Sequence, residues 1–259
     1  RVCGYVTASA PVEMIEAAGF LPVEITGVSV GLGGSGTPNA DTLMESLFHP
    51  VVRRIFEAAM TGGLDWLDAI VLPRSSDAPH RLYYYLCELQ RTGGKGPPAL
   101  LFDISQTPGS ASEAYSLDRM EHLWSQLKAL GRGGAGDDEL AEAIARSNAR
   151  RALLDRLVSR RREHPGVISG AEALAAFAAS RMLTQEMFED EVKALLARAP
   201  AGGMPSAPRI VVAGSPQEGA ELAGLIEASG GVVVGDFHGA GELSVGEAVA
   251  SDAPPLVAL

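Results

Sequence analysis

The stretch that decides the fold is residues 69–77, Ala-Ile-Val-Leu-Pro-Arg-Ser-Ser-Asp, in which four apolar residues lead directly into a polar loop. The apolar spacing that follows predicts a helix at about residues 79–91 and another strand at residues 99–102. Strand, loop and helix in this order are typical of parallel sheets, which bind ligands beside the loops that follow their strands. The stretch therefore predicts an α/β fold and indicates where chemistry should be sought.

The same alternation extends toward the N-terminus. Residues 1–6 and 21–25 are predicted strands with a short helix between them, and a helix is predicted from Asp41 through Ala59. The glycine-rich loop 31–36 superficially matches a dinucleotide fingerprint. Pro38 interrupts the pattern before any helix begins, and no acidic residue stands at the expected distance, so nicotinamide binding is disfavoured.

The second half of the chain changes character. Residues from about 111 to 198 read as nearly all helix, residues 199–207 as a linker rich in Gly, Pro and Ala, and residues 209–235 as a strand, helix and strand. We predict a first α/β domain at residues 1–110, a helical connector at 111–206, and the start of a second α/β domain at 207–259. Both α/β domains are expected to be doubly wound, Rossmann- or flavodoxin-like parallel sheets, the second of them incomplete because the sequence stops after two of its strands.

Composition excludes several classes of function. The formal net charge of −11 argues against a nucleic-acid partner, since binding to a polyanion requires clustered Lys and Arg. The longest apolar stretches are far shorter than a membrane span, so we expect no membrane partner and a cytoplasmic protein. Cys3 and Cys87 lie on different predicted elements, which favours neither a disulfide nor a zinc site.

Four residues are candidates for chemistry. Glu13 stands in the first turn of its predicted helix. The helix dipole stabilises a carboxylate there, so a structural role also explains this residue. His49 precedes Pro50 and either marks a kink in the helix or serves as a ligand. Ser76 lies in the loop after the buried strand, but no His and Asp partners can be assigned for a serine nucleophile. His238 is a metal ligand, an acid/base group, or a capping or solvent-facing residue.

Several segments together resemble one family, that of the 2-hydroxyacyl-CoA dehydratase D-component and benzoyl-CoA reductase subunits. The similar segments are Gly4-Tyr5, residues 10–19 (APVEMIEAAG), Leu21-Pro22-Val23, residues 72–77 (LPRSSD), residues 140–144 (LAEAI) with Arg161, Ile168-Ser169-Gly170, residues 209–215 (RIVVAGS) and residues 230–236 (GGVVVGD). Their order and spacing carry the resemblance, which extends over essentially the whole chain.

The resemblance implies a function, a cofactor and partners. Family members are generally heterodimers whose subunits hold four-iron four-sulfur clusters on cysteine thiolates. An ATP-hydrolysing activator protein delivers one electron, and an acyl-CoA thioester is reduced to a radical that loses water or, in the reductases, undergoes ring reduction. The resemblance therefore implies a dehydratase- or reductase-type subunit with a second subunit, an activator protein and an acyl-CoA ligand.

This sequence departs from the family at the cluster ligands. The family's cysteine before proline aligns with His49, its cysteine before aspartate aligns with Ser76, and its late cysteine falls on Gly239, beside His238. These side chains cannot replace three thiolates around a cluster. We therefore expect the chain to bind no cluster and predict no metal ligand set for it. Two alternatives stay open: His49 and His238 could bind a different metal, or they could bind substrate. Glu13, Ser76 and His238 are the expected catalytic positions, and the alternative function is a non-redox acyl-CoA-binding or partner-scaffolding paralogue.

Overall fold

The computed structural model describes residues 1–26, 36–105, 107–131, 134–198, 206–217 and 219–259. The strands are β1 (Val2–Tyr5), β2 (Leu21–Glu24), β3 (Ala69–Pro73), β4 (Ala99–Phe102), β5 (Arg209–Ala213) and β6 (Val232–Phe237). The helices are α1 (Val12–Ala17), α2 (Pro50–Thr61), α3 (Asp77–Arg91), α4 (Ser110–Leu130), α5 (Asp137–Glu163), α6 (Gly170–Met182), α7 (Gln185–Leu196), α8 (Glu221–Ala228) and α9 (Pro255–Ala258). The expected α/β class with parallel sheets is confirmed.

The chain divides into two compact units. Arg1–Ala143 with Ala250–Leu259 form the first unit, and Ile144–Val249 form the second. The three domains expected from the sequence stay a prediction. Part of the glycine-rich loop (residues 31–35) and most of the expected linker (residues 199–205) lie outside the described residues.

The first unit is built on a four-stranded sheet in the order β2-β1-β3-β4, with every neighbouring pair parallel. β3 is buried along its whole length. Helices α2 and α3 cover one of its faces, since Ile55 and Phe56 of α2 and Leu82 of α3 share a cluster with Ile70 and Leu72. Burying such apolar side chains contributes about 1.5–3 kcal/mol each relative to exposure, so this cluster holds the helices and their N-terminal ends in place.

The expectation of one helix from Asp41 through Ala59 is wrong. A 3₁₀ turn occupies Ala40–Thr42, and α2 begins only at Pro50. Proline pushes the preceding residue away from helical backbone angles, and His49 accordingly has φ −54° and ψ 132°. The buried Glu57 carboxylate accepts hydrogen bonds from Asn39 Nδ2 and the Ala40 backbone N–H, both at 2.7 Å, and so fixes the 3₁₀ turn to α2.

The second unit contains the parallel pair β5 and β6 and a helical core. Phe177 of α6 and Phe188 of α7 are fully buried in that core with Leu157 of α5. β6 extends to Phe237, so Asp236 lies within the strand rather than in the loop expected after residue 235. No helix within the described ranges is long and apolar enough to cross a membrane.

Candidate functional site

A cleft of about 450 Å³ lies at the carboxyl ends of β3 and β4 in the first unit. Its lining comes from the loops after these strands and from the first turns of α4, and six of its eight lining residues are polar: Arg74, Ser75, Asp103, Ser105, Ser112 and Tyr115. Parallel sheets bind ligands at this edge. All of its lining residues belong to the first unit, and the cleft is therefore the candidate site of that unit.

Three of these side chains form a hydrogen-bonded chain. Arg74 Nη1 donates to both carboxylate oxygens of Asp103, at 3.3 and 3.2 Å, and the Tyr115 hydroxyl donates to Asp103 Oδ2 at 2.7 Å. The hydrogen bond to Asp103 is the main cause that raises the pKa of Tyr115 above its ordinary value, so the phenol stays protonated at neutral pH. Asp103 is thus held from both sides.

Thr7, in the loop after β1, has φ +72°, a backbone conformation that a β-branched residue rarely adopts. Its hydroxyl oxygen lies 2.8 Å from that of Ser9 and 3.5 Å from that of Ser75. In a sheet of this strand order, the loops after β1 and β3 flank the point where the chain changes direction, and ligands bind at such points. Local strain of this kind clusters at functional sites, so Thr7 extends the candidate site toward β1.

His49 is the N-cap of α2, and the interpretation as a kink inside a helix is wrong. Its ring Nδ1 accepts a hydrogen bond from the Val51 backbone N–H at 3.3 Å, with Pro50 at the first helical position. The residue is exposed. Capping therefore accounts for the histidine while leaving its other ring nitrogen at the surface.

Ser76 occupies the corresponding place on the neighbouring helix. It is the exposed N-cap of α3, its side chain makes no capping hydrogen bond, and α2 and α3 pack against each other. His49 and Ser76 thus stand at the N-terminal ends of two helices in contact. Glu13 lies in the first turn of α1, as expected, and its side chain is buried.

His238 and Gly239 belong to the second unit and follow β6. The His238 side chain is only 1% exposed, so the interpretation as a residue facing solvent is wrong. Its Nδ1 accepts from the Ala240 backbone N–H at 3.3 Å, whereas Nε2 has no hydrogen-bond partner within the described ranges. A Cβ atom on Gly239 would approach Pro216 Cγ to 3.4 Å, so the backbone leaves room for a side chain there.

A buried ion pair anchors the strand that ends at this loop. Arg161 and Asp236 are each 1% exposed, with Arg161 Nη1 2.7 Å from Asp236 Oδ2 and Arg161 Nη2 donating to the Val233 carbonyl at 2.9 Å. A charge run such as residues 160–163 (Arg-Arg-Arg-Glu) is usually a solvated helix end, but Arg161 is buried. A signal was present, because Leu154, Leu157 and Arg161 follow one another at helical spacing on one face of α5.

The residues at the expected cluster positions do not fit an iron–sulfur cluster. His49, Ser76 and Gly239 offer no thiolate, and this sequence contains only Cys3 and Cys87. Cys3 is buried in β1, where burial and, secondarily, the Asp68 carboxylate raise the pKa of its thiol to about 12. Among the described residues no group of three or more His, Cys, Asp and Glu side chains is arranged to hold a metal ion. A shared metal at His49 and His238 stays a prediction, since the two residues belong to different units.

We expect the two thiols to differ sharply in reactivity. A thiol with a pKa near 12 is almost entirely protonated at neutral pH, and only thiolate attacks a disulfide reagent such as DTNB. The variant Cys87→Ser should therefore release no thionitrobenzoate from DTNB until it is unfolded, whereas Cys3→Ser should keep the native reaction of half-buried Cys87. Rapid reaction of folded Cys87→Ser would contradict the burial of Cys3.

Two comparisons with known proteins show what the chain is similar to. A family model described as 2-hydroxyglutaryl-CoA dehydratase, D-component, matches residues 7–259. The chain is also similar to the lactoyl-CoA dehydratase subunit beta of Anaerotignum propionicum, with 26% identity over 195 residues. The matched region is 75% of this chain and 49% of that protein, so the chain spans about half the length of this curated relative.

Proposed function

The chain belongs to the 2-hydroxyglutaryl-CoA dehydratase D-component family, and from this premise we propose that it is a subunit of a cytoplasmic 2-hydroxyacyl-CoA dehydratase or benzoyl-CoA reductase-like complex. In this proposal the complex reduces an acyl-CoA thioester through a radical. A second subunit holds the iron–sulfur cluster, and an ATP-dependent activator protein supplies the electron. This chain completes the complex and contributes binding surface for the acyl-CoA.

The observation that carries the proposal is the chemistry at the three positions where the resemblance places the family's cysteines. A histidine that caps α2, a serine at the N-cap position of α3 and a glycine after β6 stand there. Iron–sulfur clusters are held by thiolates, and neither a capping imidazole nor a hydroxyl or a glycine supplies one. Glu13, Ser76 and His238 are proposed to contact the substrate, without a cluster on this chain.

The proposal extends to the fold of the two units. The strand order β2-β1-β3-β4 and the parallel pair β5-β6 support assigning both units to doubly wound, Rossmann- or flavodoxin-like domains. In such domains the carboxyl ends of the strands bear the ligand. The residues proposed to contact substrate follow β1, β3 and β6 along the chain.

Iron and sulfide content tests the proposal. We expect the chain purified anaerobically to contain far less iron than a four-iron cluster requires, and to lack the broad visible absorption of such a cluster. Mixed with a candidate partner subunit, it should yield a complex that contains the cluster and, with activator, ATP and a reductant, consumes an acyl-CoA. A stoichiometric cluster on this chain alone would overturn the proposal.

A matched variant controls for loss of iron during handling. His49→Cys, Ser76→Cys and Gly239→Cys introduced together restore the family's ligand type at the three positions. If these positions are the family's ligand positions, the triple variant should gain iron and sulfide on anaerobic reconstitution while the starting chain does not. Equal, low iron in both would show that the three positions do not form the cluster site.

The second candidate function is a non-redox acyl-CoA-binding or partner-scaffolding paralogue. The polar cleft of the first unit favours it, because that cleft needs neither a cluster nor the second unit. This candidate predicts that the complex with the partner binds acyl-CoA yet shows no turnover attributable to this chain. Turnover that requires this chain would favour the first proposal instead.

A further inference from the structure

The guanidinium of Arg74 is held on one side and open on the other. Its Nη1 is bound to Asp103, while Nε and Nη2 make no hydrogen bond to any described residue. The side chain is 52% exposed and lines the cleft. Arginine has five N–H donors in a fixed planar fork, so a substantial part of its donor capacity is available to a ligand.

Asp103 orients the Arg74 guanidinium but leaves part of it available to a ligand. The Asp103 side chain is only 12% exposed, and the protonated Tyr115 hydroxyl donates to it at 2.7 Å, which restrains the carboxylate that binds Nη1. A guanidinium oriented before the ligand arrives loses less side-chain entropy on binding. The negative charge of Asp103 also offsets the positive charge of Arg74. Charge alone therefore attracts anions only weakly, and a ligand whose oxygens match the geometry of the guanidinium is favoured.

The remaining lining groups match an oxyanion with several acceptor oxygens. Ser75, Ser105 and Ser112 bring hydroxyls from three separate segments, the loops after β3 and β4 and the first turn of α4. A phosphate presents oxygens in several directions, so it can accept from a guanidinium and from surrounding hydroxyls at once. At about 450 Å³ the cleft is far larger than a lone phosphate and lies in the range of pockets that hold larger ligands.

We infer that this cleft binds a phosphate group of an acyl-CoA, with Arg74 contacting the phosphate and Asp103 and Tyr115 positioning Arg74. The choice of acyl-CoA rests on the proposed function, whereas the phosphate rests on the cleft itself. The apolar side chains of Ile104 and Ala111 in the same cleft are suited to the carbon skeleton next to the phosphate.

Isothermal titration calorimetry on the full chain tests the inference with four probes: CoA, 4′-phosphopantetheine, pantetheine and inorganic pyrophosphate. Arg74→Gln should weaken CoA and pyrophosphate binding by about 10-fold to 100-fold, the usual effect of losing a hydrogen-bonded charge contact. Wild type should bind 4′-phosphopantetheine more tightly than pantetheine, and Arg74→Gln should abolish that difference. Arg91→Gln is the matched control, because Arg91 also pairs with a carboxylate in the first unit but lies outside the cleft lining.

The positioning role has its own measurement. Asp103→Asn should weaken CoA binding less than Arg74→Gln does. It should also lower the pKa of Tyr115 toward its ordinary value of 10.0, read from the tyrosinate absorbance that Tyr115→Phe removes. Asp103→Glu should restore part of both effects. An unchanged tyrosine titration in Asp103→Asn would contradict this role.

The outcomes separate this inference from the proposed function. Tight CoA binding that Arg74→Gln leaves unchanged would overturn the inference while leaving acyl-CoA binding intact. If pyrophosphate binds in a way that depends on Arg74 but CoA does not bind, the cleft is a phosphate site. Acyl-CoA is then not its ligand. Binding of neither CoA nor pyrophosphate to wild type would overturn the inference, while the iron and partner measurements judge the proposed function separately.

Discussion

Arg161→Met is expected to lower the free energy of unfolding of the second unit by about 3–5 kcal/mol, the usual cost of removing one partner from a buried ion pair. Methionine keeps much of the apolar stem but leaves the Asp236 carboxylate buried and unpaired and the Val233 carbonyl without its side-chain donor. Because both acceptors lie on β6, loss of order should begin at this strand. Urea unfolding by far-UV circular dichroism and amide hydrogen exchange of residues 232–237 measure the effect.

Two further variants make the result specific. Arg156→Met changes an exposed arginine of the same helix and should alter stability by less than about 0.5 kcal/mol. Arg161→Met combined with Asp236→Leu removes both charges and should recover part of the loss, since no uncompensated charge remains buried. A single variant as stable as Arg156→Met would show that the ion pair does not hold β6.

The sequence predicts the strands better than the helix ends. β4 lies where expected and β5 begins at the expected residue 209, because apolar runs bounded by Pro, Gly and polar residues leave little choice of limits. The start of α2 is misjudged, since apolar residues between Asp41 and Pro50 happen to match helical spacing. The start of α2 is decided by the restriction that Pro50 places on His49, together with the long-range hydrogen bond that the Ala40 backbone N–H donates to the Glu57 carboxylate. Such a bond joins residues 17 apart and has no local signature.

The candidate site is predictable only in outline. The loop after β3 is identified from the strand pattern, whereas the departure from the family's cysteines stays a prediction from the resemblance. The chain from Arg74 through Asp103 to Tyr115 is not, because it joins a strand end, a second strand end and a helix that only the sheet brings together. An aspartate directly after an apolar strand was the available signal, and it becomes informative once β3 and β4 are known to be neighbours.

The burial of Arg161 illustrates a different limit. A run of three arginines at a helix end is usually solvated, and composition gives no reason to separate its middle member from the others. Helical spacing from Leu154 and Leu157 places that member on the apolar face, and the buried carboxylate that compensates it lies 75 residues away. Periodicity predicts the face, but only the fold supplies the partner.

Phe56→Ala should lower the stability of the first unit by about 3–5 kcal/mol, the usual cost of truncating a buried phenylalanine. Phe56 is 1% exposed in the cluster that joins α2 and α3 to the sheet, and its ring meets that of Tyr85 edge to face at 5.4 Å. Both tryptophans, Trp66 and Trp124, lie in this unit, so their fluorescence during thermal or urea unfolding reports on it. Tyr84→Ala, which removes a half-exposed aromatic ring from α3, is the matched control and should change stability far less.

Since α2 and α3 carry His49 and Ser76 at their N-terminal ends, the destabilised variant should also lose protection of the first-turn amides of both helices in hydrogen exchange. A fluorescence midpoint equal to that of Tyr84→Ala would show that this cluster does not hold the two capping positions in place.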